Sequence, residues 1–172
     1  MRSFLTGAAT ICAIAVLAAN GAMAQQQARS DSFQQMRFFD ETAIRLALEP
    51  QGAEVETRRT ESGMPFFFIT FNNMKLVAVP QSCNQQRANC VGLVISARYR
   101  PPQNVSPQQL RDRVDAFNRS YDYAKAVISS EGVPTVSRYV IADYGTSLGN
   151  LRSEFTNTAN LAQIFNRQVL GN

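Results

Sequence analysis

The chain has 172 residues, 17 of them basic and 13 acidic, a formal net charge of +4, and no histidine. Without histidine the Ser-His-Asp and Cys-His nucleophilic sites are excluded, and so are the His-containing zinc sites. The basic residues are scattered, as at Arg58-Arg59, Arg98, Arg100, Arg111 and Arg113. No long basic run forms, so neither nucleic acid nor a membrane surface is an expected partner.

Arg2 precedes an apolar stretch over 4–19, and Ala22-Met23-Ala24 has the A-x-A form of a cleavage site, followed by Gln25-Gln26-Gln27. That is the pattern of a secretory signal peptide cut after Ala24. The rival reading is an uncleaved anchor, because the apolar run approaches the length of a bilayer span. Cys12 lies inside this run without the residues of a lipoprotein signal. Residues 1–24 are therefore assigned to the signal peptide, 25–37 to a flexible lead-in, and 38–172 to one domain. The expected location is periplasmic or secreted, with no membrane span after cleavage.

Phe33, Met36, Phe39, Ala43, Leu46 and Ala47 recur near helical spacing. Asp40 is the N-cap of a helix whose body covers 42–48, and Pro50 and Gly52 end it. Residues 53–60 read as a charged edge strand with Val55 inward, and Gly63 with Pro65 makes a turn.

The stretch 66–99 is the centre of the fold. Phe67, Ile69 and Phe71, then Met74, Leu76 and Ala78, then Leu93, Ile95, Ala97 and Tyr99 fall at spacing two. Such runs predict half-buried antiparallel strands. Asn72-Asn73 tolerates the positive φ of a tight hairpin. Cys83 and Cys90 bracket the next turn. In an exported chain an even pair points to a disulfide, worth about 2.5 kcal/mol for so short a loop. A redox pair would sit at C-x-x-C on a helix start, and two cysteines are too few for structural zinc.

Arg100-Pro101-Pro102 closes this block. Ser106, Pro107 and Gln109 form a capping-box start to a helix with Leu110, Val114, Phe117 and Tyr121 on one face. Residues 123–129 and 134–142 read as strands around the turn Glu131-Gly132, with Tyr139 and Ile141 on one face and Val136 and Val140 on the other. After Gly145, Thr146 or Ser147 caps a last helix with Leu148, Leu151, Phe155, Ala159, Ala162, Phe165 and Val169 on its face. The class is α+β: an antiparallel sheet with helices packed on it, in the order α-β-β-β-β-α-β-β-α.

No catalytic constellation emerges. Lys75 and Lys125 lie in no Ser-Lys motif, and Asp112 and Asp115 sit beside the helix stripe as solvent-facing charges; with Asp122 they are the carboxylates weighed for glycoside chemistry. Asp143-Tyr144-Gly145 reads as an ordinary turn. There is no phosphate loop and no dinucleotide fingerprint. The expectation is a non-enzyme with no cofactor and no metal.

Leu46-Ala47-Leu48 before Gly52, Cys83 and Cys90 before an apolar strand, Val114-Asp115-Ala116-Phe117-Asn118, the strand 123–129, Glu131-Gly132, Gly145 and the last helix together resemble the YbjN family. These bacterial domains are often labelled sensory transduction regulators. The resemblance covers about 40–169. It departs at Phe117, where the family commonly has Trp, and in the signal peptide, which many members lack. It implies a fold similar to type III secretion chaperones and a chaperone-like binding module. The expected partner is an envelope protein or peptide, with a second copy of the chain as another candidate. Tyr99, Phe117, Tyr121 and Tyr139 are the candidate contact residues. The alternative is a binder of a small ligand or envelope component, using a pocket between sheet and helices.

Overall fold

The computed structural model describes residues 33–171, so the signal-peptide assignment and its Ala22 and Ala24 lie outside the described residues. The sheet is antiparallel and six-stranded: β2 (Glu54–Arg59), β3 (Pro65–Phe71), β4 (Met74–Gln81), β5 (Gly92–Arg98), β6 (Lys125–Ile128) and β7 (Pro134–Ile141), in the spatial order β2-β3-β4-β5-β7-β6. Helices α1 (Glu41–Leu48), α2 (Pro107–Ser120) and α3 (Leu148–Phe165) pack on one face of it. The expected α+β class and element order therefore hold.

The period-two pattern decides which face the helices cover. Phe67, Ile69, Leu76, Ala78, Leu93, Ile95 and Val136 are all at most 2% exposed. They meet Leu151, Phe155, Ala159, Ala162 and Phe165 of α3, which are equally buried. Each Val, Leu, Ile or Phe among them contributes roughly 1.5–3 kcal/mol by burial. A one-residue slip of any strand would turn this set to water, so the register is strongly specified.

Turn and cap chemistry sets the element ends. Asn72 and Asn73 carry φ of 49° and 59°, closing the β3–β4 hairpin. The Asp40 carboxylate accepts from the Ala43 amide at 2.8 Å and starts α1. Ser106 Oγ accepts from the Gln109 amide, while Gln109 Oε1 accepts from the Ser106 amide, completing the capping box of α2. Ser147, one of the two expected caps, starts α3 by accepting from the Asn150 amide. After Phe165 the helix widens into a π turn, Asn166–Leu170, which still buries Val169.

Two short strands are additions to the expected order. β1 (Gln35–Met36) pairs antiparallel with β8 (Thr146–Ser147), and Met36 is buried. Gln35 and Met36, within the expected lead-in, thus pair into the folded unit. The Leu148 amide also donates to the Gln34 carbonyl at 3.0 Å, tying this start to the base of α3.

Candidate functional site

The sheet's second face carries no helix among the described residues. Cross-strand register arranges it in rows. Glu56, Phe68, Val77, Ser96, Ser137 and Lys125 make one row. In the next, Arg58 pairs with Phe66, and Val79 with Val94 and Tyr139. Gln81, Gly92 and Ile141 follow. The far row, with Glu54, Thr70, Lys75 and Thr135, is mostly polar but ends on β6 at Val127, 40% exposed. The apolar rows end at the loop that holds the disulfide.

Several large apolar side chains stand in water here. Phe68 is 36% exposed, Tyr139 51% and Ile141 55%. Val77, Val79 and Val94 are half-buried by their sheet neighbours alone. Phe66 and Phe68 stack edge to face with ring centroids 5.5 Å apart. The Arg58 guanidinium lies 4.5 Å above the Phe68 ring and pairs with Glu56 at 2.8 Å. The hydrogen bond from Arg58 holds the Glu56 carboxyl below its ordinary range, so this edge keeps its acid ionised.

Tyr139 lies flat along the sheet. Its hydroxyl is 3.0 Å from Ser82 Oγ, and the ring crosses Gly92. A Cβ at position 92 would overlap that ring, so glycine is the residue that permits the close approach. Cys83 and Cys90 are joined by the expected disulfide. Within the same loop, Asn84 Oδ1 accepts from the Ala88 amide at 2.9 Å. Arg87 donates to the Ser62 carbonyl at 2.5 Å, linking the loop to the β2–β3 turn beside Phe66.

Of the four candidate contact residues, only Tyr139 is on this face. Tyr99, Phe117 and Tyr121 cluster on the other side of the sheet with Phe165. Phe117 is 2% exposed and belongs to the core. Tyr99 donates to the Ala162 carbonyl at 2.6 Å, and burial pushes its phenol up to about 12. Tyr121 stacks on Phe117 and reaches Gln168. These three serve helix packing rather than an open surface. Reading Phe66, Phe68, Val77, Val79 and Val94 as a second apolar face was within reach of the sequence. β3 is apolar on both faces, at Phe66, Phe67, Phe68 and Ile69, where a strand with one solvated face would alternate.

Small-ligand space lies at the periphery. A cleft of about 370 Å³ opens between β7 and α3, lined by Tyr123, Arg138, Asn157, Asn160, Leu161 and Ile164. Arg138 is the one charged side chain that β7 turns toward the helices. It stands 2.7 Å from Glu154 and 5.1 Å from the Tyr123 ring centroid. The approach to Glu154 is an ion pair without hydrogen-bond alignment, and Arg138 Nε has no partner among the described residues. Asp112 accepts from Gln108 at 2.8 Å on the exposed side of α2. Among the described residues no group of three or more acidic, Cys or His side chains is placed to hold a metal, and no helix is long and apolar enough to cross a membrane.

No family model matches this chain, and no curated protein does.

Proposed function

We propose that this chain is an exported, non-catalytic protein-interaction module of the bacterial envelope, a YbjN-like domain whose docking surface is the open face of its sheet. The observation that carries this reading is a contiguous apolar patch, Phe66, Phe68, Val77, Val79, Val94 and Tyr139, exposed or half-buried with no helix over it, on a fold whose other sheet face is closely filled. Scattered exposed apolar residues need no explanation, but a contiguous patch rimmed by polar groups marks a contact surface. The Cys83–Cys90 disulfide fits an oxidising compartment, and the A-x-A site at Ala22 and Ala24 supplies the route there.

The test is affinity capture of the tagged protein from envelope fractions under non-reducing conditions, comparing the natural chain with Val94→Lys. Val94 faces outward, so lysine leaves the core untouched. A stoichiometric protein partner retained by the natural chain and lost from the variant is expected. A partner held equally by both would place docking elsewhere.

A further inference from the structure

We infer that the occupant of the open face is a second copy of this chain, bound face to face about a two-fold axis parallel to the strands between β4 and β5; the inference rests on the docking role proposed above. Both edges of the sheet are closed to extension. β2 carries Glu54, Glu56, Arg58 and Arg59. On β6 the outward amide and carbonyl of Ala126 are both taken by the Asn118 side chain, at 2.8 and 2.9 Å. Adding strands is thereby blocked, and association is left to the face.

Charge selects the axis. The row from Glu56 to Lys125 has a carboxylate at the β2 end, already paired with Arg58 of the adjacent row, and an ammonium at the β6 end. A two-fold axis along the strands, at the middle of the six-strand order, carries β2 of one copy over β6 of the other. Glu56 then faces Lys125 at both ends of the contact. The other in-plane axis, across the strands, would set Glu56 on Glu56 and Lys125 on Lys125. Opposite charges over each other favour the first arrangement and penalise the second.

Shape agrees with the same axis. It lays β3 over β7 and β4 over β5. Phe68, with the Arg58 guanidinium over its ring, then meets the small Ser137, Phe66 meets the flat Tyr139 ring, and Val79 meets Val94. Large side chains oppose small or flat ones, which is what two sheets about 10 Å apart, offset by about 30°, require. Lys75 and Arg98, on the polar side of the patch, would meet like charge and so limit the contact to the apolar rows. The three rows cross six, five and three strands; with strands about 4.8 Å apart and rows about 7 Å apart they cover about 470 Å² per copy, the size of a weak or transient contact. The dimer is therefore expected to be concentration-dependent.

The test is sedimentation velocity of protein purified from cells expressing the full chain, from micromolar to sub-millimolar concentration, with folding followed by circular dichroism. A reversible dimer is expected. Val94→Lys should weaken it about 100-fold, and Glu56→Lys or Lys125→Glu alone about tenfold. The two reversals together should restore the natural affinity to within about threefold. A natural chain that stays monomeric throughout overturns the inference, as does a dimer unmoved by the single reversals. If the chain is monomeric while Val94→Lys still abolishes capture of an unlike envelope protein, the self-association falls and the docking role stands. If Val94→Lys alters neither, both fall.

Discussion

Tyr99 shows how a single side chain can look like a contact residue and act as a strut. Its ring packs on Phe165 with centroids 5.5 Å apart, and its hydroxyl donates to the Ala162 carbonyl. Burial raises its phenol from 10.0 to about 12. The neutral form is thus favoured in the folded state more than in the unfolded chain. Above pH 10.0 the unfolded chain loses this proton while the folded one keeps it, so stability falls as pH rises from 10.0 toward about 12. Tyr99→Phe should flatten that alkaline loss and cost about 1 kcal/mol at neutral pH, through the lost hydrogen bond. Denaturant unfolding across the alkaline range, with tyrosinate absorbance as the titration signal, measures both. An identical pH slope in the variant would assign the loss to other groups.

At the scale of elements, most of the architecture was legible because local signals agreed with one another. Ser106, Pro107 and Gln109 announced α2 through one capping box, and Asn72-Asn73 announced the β3–β4 hairpin through positive φ. β1 and β8 were not legible. Each is two residues long, shorter than any period can register, and their pairing is made by distant chain segments rather than by local propensity. Asn118 was visible as part of the Phe117-Asn118 pair but its task was not, since only the folded chain brings it beside Ala126. There its amide completes the edge of β6 as a further strand would. Asn118→Ala leaves an amide and a carbonyl of the edge strand unpartnered and should cost about 2 kcal/mol, read by chemical denaturation. The same variant should raise hydrogen exchange in β6 before any other strand. Uniform loosening of the whole sheet would mean that Asn118 acts on global stability alone.

For the whole molecule, the division of labour between two faces of one sheet is the central feature. The inner face was legible from spacing-two runs, because burial against helices demands them. The outer face was harder to read. Val77, Val79 and Val94 alternate with the core residues in strands where both faces are apolar, and pattern alone does not say which face is covered. Helix count settles it: three helices pack on one side, and nothing among the described residues lies over the other. Aromatic residues singled out one by one, Tyr99, Phe117 and Tyr121, turned out to support α2 and α3, whereas Tyr139 keeps its place on the open side with Gly92 beneath it. The most direct measurement is photo-crosslinking in living cells, with benzoylphenylalanine placed at position 94 on the open face and, as control, at position 111 on the exposed side of α2. Discrete protein adducts from position 94 and none from position 111 are the expected result, with an adduct of twice the chain mass marking self-association. No adduct from position 94, or equal adducts from both positions, would contradict the claim that the open face is where this protein docks.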